Sequence, residues 1–263
     1  MPVHRGRARP RTARTPLSAV VLAALVVAGL AGMPERASAL EVTVGSPADF
    51  AAALAEANLS PEPDVIVIDV PSDETWDALP TFVVVGDLTI ERAAGSGRVT
   101  FSSVQSAFAL ALGAAFHATG IGVTGRNRDG IEAPSGADVV LTDVILSGSA
   151  GSGLNLVGGT LTATRVTAAD NGAAGILAVD VSAVTLDGGD LSRNLVGLSV
   201  GTRGGTVSIS GTTVTDNGRP FRPDGGGIVV DADAAATVDL TGVTVSGNRG
   251  SLGAGMRIDR LAG

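Results

Sequence analysis

The chain contains no cysteine, no lysine and no tyrosine among its 263 residues. The absence of cysteine excludes disulfides, thiol catalysis and a lipid-anchored cysteine, and the absence of lysine excludes a lysine base. His117 is the only histidine after residue 39, so a metal site built on paired histidines is excluded too. Chemistry based on thiols, lysine or paired histidines is therefore ruled out before any motif is considered.

Residues 1–39 have the composition of an export signal. Five arginines precede Pro16, residues 17–32 form an apolar run, and Ala37-Ser38-Ala39 is a small-residue cleavage site. The alternative is an uncleaved anchor, but the run is shorter than the roughly 18 residues needed to span a bilayer. No two arginines are adjacent, which favours the general secretory route over the twin-arginine route. We therefore expect a secreted or cell-surface protein with no membrane span after signal cleavage.

The chain that remains after cleavage is strongly acidic. Residues 40–263 keep 12 arginines and 25 acidic residues, a formal net charge of −13. Such a charge repels phosphate backbones and anionic headgroups, so nucleic acid and anionic membranes are not expected as partners.

A repeat of about 23 residues runs from residue 116 to the C-terminus, with the pattern V-x-L-x-x-V-x-V-x-x-N followed by G-I-x-V. Aligned on the first apolar residue, its copies begin at Phe116, Val139, Leu161, Val184, Val207 and Val238. This regularity is typical of a solenoid, and three short alternating segments per repeat predict three β-strands per coil. The predicted fold class is therefore all-β, a parallel β-helix.

The turns of each repeat carry their own signals. The corner between the first two strands holds Gly or Asp in most copies, since a sharp corner requires a left-handed residue; Arg165 departs from this rule. A glycine introduces each third strand. Asparagines recur at one position, which predicts a stacked amide ladder of Asn171, Asn194, Asn217 and Asn248.

The first part of the exported chain is less regular. Ser46-Pro47-Ala48-Asp49 predicts the start of a capping helix, with Ser46 as the N-cap residue. A polar loop carrying Trp76 is predicted at residues 71–80. We therefore divide one continuous domain into a cap helix with irregular first coils, residues 40–115, and regular coils, residues 116–263.

The six repeats, together with the helix and strand of residues 49–68, resemble the pectin-lyase-like, right-handed parallel β-helix superfamily. The resemblance covers roughly residues 42–258 and implies that a ligand would lie along the third strand of each coil and the variable loop before it. The side chains that face outward from this strand are Glu132, Asn155, Leu177, Ser199, Val229 and Arg257.

One stretch, residues 127–131, is similar to the N-x-D-G-I element of polygalacturonases, in which the aspartate acts as the general acid. This similarity makes Asp129, with Glu132 beside it, the candidate catalytic residues. The loops one and two coils later, at residues 149–152 and 171–174, lack the paired aspartate and the G-H-G element of those enzymes. An acid without a partner base does not make a hydrolase.

The resemblance to pectate lyases raises calcium as a cofactor. Calcium binds six to eight oxygens, several of them from neighbouring carboxylates. Adjacent coils of this chain place no second carboxylate at the loop positions. We therefore predict no cofactor and no metal site, with calcium left open.

The repeat is interrupted once, by residues 218–226, which lengthen one coil to 31 residues. Prolines stiffen this segment, and stiff loops bind with a smaller entropic cost. The predicted ligand-binding residues are Arg219, Phe221, Arg222 and Asp224 of this segment, together with Asn155.

These patterns predict a non-catalytic protein that binds a polysaccharide, a cell-surface glycan or another surface through the loops beside the third strand. The alternatives are a polysaccharide lyase or glycoside hydrolase of this fold, and a structural spacer or assembly module. The last repeat is not followed by a capping element, so end-to-end self-association is expected as well.

Overall fold

The computed structural model describes residues 39–134, 136–219, 226–250 and 254–261, and the expected export signal lies almost wholly outside them. Within these residues there is one helix, α1, which spans Pro47–Ala57. The strands of the N-terminal half are β1 Glu41–Val44, β2 Asp64–Ile68, β3 Glu74–Leu79, β4 Phe82–Val84, β5 Asp87–Arg92, β6 Val99–Ser103, β7 Phe108–Leu110, β8 Ala115–Thr119, β9 Gly122–Gly125, β10 Ile131–Ala133, β11 Asp138–Thr142 and β12 Ile145–Ser147. The remaining strands are β13 Leu154–Val157, β14 Thr160–Thr164, β15 Thr167–Ala169, β16 Ala174–Asp187, β17 Asp190–Ser192, β18 Val196–Ser210, β19 Thr213–Thr215, β20 Gly226–Asp233, β21 Thr237–Thr241, β22 Thr244–Ser246 and β23 Met256–Leu261.

These strands form a parallel solenoid of about eight turns with about 23 residues per coil, as the repeat predicts. Each coil contributes a first, a second and a third strand to three long faces. The second strands form one eight-stranded sheet, from β3 to β22. The first and third strands belong to a single larger sheet because β16 and β18 run through the corner that joins a third strand to the next first strand. Among the residues described, no helical segment has the length and the apolar character that a membrane span requires.

The core is a set of stacked apolar columns. Leu161 pairs with Val184, Val184 with Val207, and Val207 with Val238, so like positions lie directly above one another. The first three are buried, and each buried side chain of this size contributes roughly 1.5–3 kcal/mol. A shift of one residue would turn the whole column outward, so the alternating pattern fixes the register.

Helix α1 covers the N-terminal end of the solenoid. Ser46 is its N-cap residue and accepts a hydrogen bond from the backbone N–H of Asp49, as its sequence predicts. The helix buries Phe50, whose ring lies 4.8–4.9 Å from those of Phe101 and Phe82. Aromatic packing against the first coils therefore closes this end of the core.

The predicted polar loop at residues 71–80 is wrong, because residues 74–79 form strand β3. Trp76 faces inward, is buried and packs its ring 5.2 Å from that of Phe101. Ala78 adopts a left-handed conformation (φ 53°), and the pairing of β3 with β6 shifts register between Trp76 and Leu79. This irregularity disrupts the alternation of apolar and polar residues by which a strand is recognised in the sequence.

The corner between the first and second strands is left-handed in every repeated coil. Gly120, Gly188 and Gly211 have φ between 56° and 73°, and Asp143 has φ 54°. Arg165, the departure from the glycine or aspartate rule, adopts the same conformation, with φ 52°. The shape of the coil therefore overrides the local preference of arginine.

The predicted asparagine ladder is present at the corner before the third strand. In each rung the side-chain oxygen accepts from the backbone N–H and the side-chain NH2 of the preceding asparagine. Asn194 accepts from Asn171 at 3.0 and 2.9 Å, and Asn217 accepts from Asn194 at 2.9 and 3.1 Å. The ladder continues upstream, where the backbone N–H of Ser149 donates to Asn171. These bonds fix the turn that leads into every third strand from β13 to β20.

Candidate functional site

The outward row predicted for the third-strand face is continuous in the structure. Parallel pairing places Glu132 beside Asn155, Asn155 beside Leu177, and Leu177 beside Ser199. Val229 and Arg257 continue the row at its C-terminal end. The row therefore forms one straight line of side chains, polar at both ends and apolar at Leu177 and Val229.

A polar cluster lies at the N-terminal part of this face, centred on Asp129. The carboxylate of Asp129 accepts a hydrogen bond from the backbone N–H of Ser152 at 2.5 Å and one from Nδ2 of Asn155 at 3.0 Å. A Cβ atom on Gly151 would lie 2.3 Å from Oδ1 of Asp129, so glycine makes room for this carboxylate. Both oxygens of Asp129 thus hold the turn and the side chain of the following coil.

Glu132 completes the cluster. Its Oε2 accepts from the hydroxyl of Ser106 at 3.0 Å, and Nη1 of Arg128 lies 3.5 Å from both of its carboxylate oxygens. We name Ser106, Arg128, Asp129, Glu132 and Asn155 the third-strand cluster. It contains one cation, two carboxylates, an amide and a hydroxyl, which together can donate to and accept from a polyhydroxylated ligand.

The structure brings together three of the residues singled out from the sequence, Asp129, Glu132 and Asn155. Their neighbours Ser106 and Arg128 were missed. Ser106 belongs to the coil before the regular repeat, where no alignment of copies could indicate it. Among the described residues, no group of three or more histidine, cysteine or acidic side chains could hold a metal ion.

The lengthened coil lies farther along the same face. Arg219 is exposed and follows the ladder residue Asn217 on the turn before β20. This turn lies three coils beyond Asn155, roughly 14 Å along the solenoid axis. Phe221, Arg222 and Asp224 lie outside the described residues. Of the predicted ligand-binding set, the structure therefore places Asn155 in the third-strand cluster and Arg219 apart from it.

A second left-handed column, missed from the sequence, precedes the asparagine ladder. Its members share one corner position and a φ between 55° and 68°: Gly148, Asp170, Arg193, Asp216 and Gly247. Arg193 donates from Nε and Nη2 to the two oxygens of Asp170, at 2.8 and 2.7 Å. A shallow depression of about 300 Å³ is lined here by Arg193, Asp216 and Arg249. The regular spacing of these corner residues was the signal that could have revealed the column.

An aspartate pairs with the arginine of the next coil at both left-handed corners, the one between the first and second strands and the one before the asparagine ladder. Arg165 donates to both oxygens of Asp143, at 2.7 and 2.6 Å, as Arg193 does to Asp170. In each pair the hydrogen bonds from the guanidinium group lower the pKa of the aspartate, against a smaller opposing effect of burial. The pairs are about half exposed, so solvent screens them and each contributes little in neutral solution.

These pairs predict a dependence of stability on pH. An aspartate whose folded pKa lies below its unfolded value stabilises the fold above that value and loses this contribution as the pH falls through the folded pKa. We therefore expect the free energy of unfolding to fall as the pH drops below about 4, and less steeply in the double variant Arg165→Gln, Arg193→Gln. Urea denaturation at a series of pH values measures the free energy of unfolding in each protein.

Arg203→Gln is the control, because Arg203 lies 3.7 Å from its carboxylate partner, Asp180, and makes no close hydrogen bond to it. Identical slopes in all three proteins would contradict the assignment.

Comparisons with known proteins agree with this architecture. No curated protein and no solved structure matches the chain. A family model described as the right handed beta helix region matches residues 109–259. That stretch is more than half of the chain and reaches from β7 to β23. The chain therefore belongs to the right-handed β-helix family, as its resemblance to pectin-lyase-like proteins predicts.

Proposed function

We propose that this chain is an exported β-helix protein that binds a glycan on or outside the cell through the third-strand face. The observation that carries the proposal is the third-strand cluster, in which donors and acceptors converge beside the outward apolar side chain of Leu177, the neighbour of Asn155 on the next strand. Glycan sites combine polar groups that bind hydroxyls with apolar surface that contacts the sugar ring.

The hydrogen bonds of Asp129 favour binding over catalysis. Glycoside hydrolysis requires two carboxyl groups, one of which gives a proton to the leaving oxygen. Both oxygens of Asp129 already accept bonds that hold the next coil, so this group could carry the proton of a general acid only by weakening one of these bonds. Glu132 accepts bonds from Ser106 and Arg128, and the second carboxyl group of the cluster is Asp129, whose two oxygens are occupied by the following coil. The cluster is thus better suited to hold a sugar than to cleave one.

The test is binding to a panel of acidic and neutral polysaccharides by affinity electrophoresis, with and without calcium. We expect retention of the protein by at least one polysaccharide, and a loss of affinity of about tenfold in Glu132→Gln, since one charge-assisted hydrogen bond is worth about 1.5 kcal/mol. Glu91→Gln is the matched control, because Glu91 is exposed on the first-strand face.

Two results would contradict the proposal. One is equal affinity in the two variants, which would place the binding elsewhere. The other is release of soluble sugars that stops in Asp129→Asn, which would make the protein a lyase or hydrolase instead.

A further inference from the structure

The first-strand face carries a regular array of hydroxyl groups in its last four strands. Outward positions in the first-strand segments of β14, β16, β18 and β21 form three columns that we name the hydroxyl array. Its twelve members are Thr160, Thr162, Thr164, Ala183, Thr185, Asp187, Thr206, Ser208, Ser210, Thr237, Asp239 and Thr241. Nine of the twelve are threonine or serine. All twelve are exposed or partly exposed.

The array is periodic in two directions. Along the solenoid axis Thr162 pairs with Thr185, Thr185 with Ser208, and Ser208 with Asp239, which repeats the array at the strand spacing of about 4.8 Å. Along each strand, alternate residues face outward, which repeats it about every 6.7 Å. The parallel register keeps the columns straight, so the hydroxyls form a two-dimensional lattice.

Most of these hydroxyls are available to a partner. Ser210 donates to Asp187 at 2.7 Å, and Thr160 donates to Asp138 of the preceding coil at 2.7 Å. The hydroxyls of Thr162, Thr185 and Ser208 make no hydrogen bond to any residue that the structure describes. Threonine has a stiff χ1 angle, so its hydroxyl and methyl groups stay in place on the strand.

The composition and size of the array restrict its partner. No arginine is among its members, so it has no group to pair with an anionic ligand, and it has no aromatic ring on which a sugar could stack. Its two carboxylates lie away from the centre: Asp187 accepts a hydrogen bond from Ser210, and Asp239 is on the last of the four strands. Four strands by five residues cover only about 300 Å². A stable protein interface buries roughly 800 Å² on each side, so the array is too small to hold a second copy of the chain or another globular protein.

We propose that the hydroxyl array binds the surface of ice. Ice is an uncharged lattice of oxygen atoms with repeats of the same order as those of the array, and its water molecules both donate and accept hydrogen bonds. Hydroxyls that are already fixed in position can replace water molecules of the ice surface with little loss of side-chain entropy. The methyl groups of threonine exclude liquid water from the space between the protein and the ice. This activity is distinct from the proposed glycan binding because it uses a different face of the solenoid.

Thermal hysteresis, the gap between the melting and freezing points of a single ice crystal, tests the proposal with the purified protein. We expect a measurable gap and faceted crystals. In Ser208→Lys the gap should fall to less than about a tenth, since a long side chain at the centre of the array would hold the surrounding hydroxyls away from the ice surface. The control is Ser199→Lys, which makes the same change in the same strand, β18, but on the third-strand face. This control should keep the full gap.

Three results would overturn the proposal. They are the absence of hysteresis and of crystal shaping by the unmodified protein, an unchanged gap in Ser208→Lys, and an equal loss in both lysine variants. Adsorption to microcrystalline cellulose without any effect on ice would likewise assign the array to a solid polysaccharide instead. Circular dichroism of each variant confirms that the solenoid has formed.

Discussion

Replacing Asn194 by alanine is expected to lower the free energy of unfolding by about 3–5 kcal/mol. Asn194 is buried and makes four side-chain bonds: it donates to the carbonyl of Ala168 and to Asn217, and it accepts two bonds from Asn171. Alanine would leave the backbone N–H of Asn171 without an acceptor, and the NH2 of Asn171 would keep only its bond to the carbonyl of Leu146. Each orphaned buried group costs about 1–3 kcal/mol. Urea denaturation gives the total, and amide hydrogen exchange shows whether the loss is concentrated in the neighbouring coils.

Asn248→Ala serves as the control because it removes the same kind of rung where water has access. Asn248 donates to the carbonyl of Val214 and accepts from Asn217, but it is only partly buried. Water can replace part of these bonds, so the expected loss is about 1–2 kcal/mol. Equal losses in the two variants, or a loss below about 1 kcal/mol in Asn194→Ala, would show that the ladder does not hold the coils together.

Gly197→Ala is expected to destabilise the protein by about 3 kcal/mol. The added Cβ would lie 2.6 Å from Cγ1 of Val214, 2.7 Å from the carbonyl oxygen of Gly227 and 2.9 Å from Nδ2 of Asn217. The carbonyl of Gly227 is part of the backbone of the next coil, so relieving this clash would separate two coils. The shift in the urea midpoint measures the effect.

The matched control is Gly201→Ala, in the same strand as Gly197. A Cβ at Gly201 would have its nearest neighbours at 3.9 Å, and this glycine does not have a positive φ. We expect a change within about 0.5 kcal/mol, with a slight gain from the stiffer unfolded chain. A loss at Gly201 as large as that at Gly197 would mean that the cost comes from the strand itself and not from the contact between coils.

Much of the fold was predictable because every coil has the same structural requirements at the same positions. Inward residues, left-handed corners and ladder asparagines recur at fixed spacing, so the copies of the pattern supported one another. Strand β3 was not predictable, because Ala78 changes its alternation and its coil lies before the aligned repeats. The left-handed conformation of Arg165 could be predicted only from its position in the repeat, because arginine itself does not favour this conformation.

The site was less predictable because side-chain contacts between coils depend on exact turn geometry. The outward row of the third strand followed from alternation alone, and its register was foreseeable. The bonds from Ser152 and Asn155 to Asp129 were not, because they depend on how the turn of one coil lies over the next. The hydroxyl array was visible in the sequence as T-x-T-x-T and its variants, but it was masked by the ordinary preference of threonine for strands.

The ladder also determines where this protein can be enlarged. Asn217 and Asn248 are 31 residues apart instead of 23, yet their bonds, at 2.9 Å, match those of the other rungs. The asparagine ladder therefore aligns equivalent positions of neighbouring coils, whatever the number of residues between them. A foreign peptide placed between Asn217 and Gly226 would leave every coil in register, so this corner is a natural insertion point for displaying a binding segment on a rigid rod.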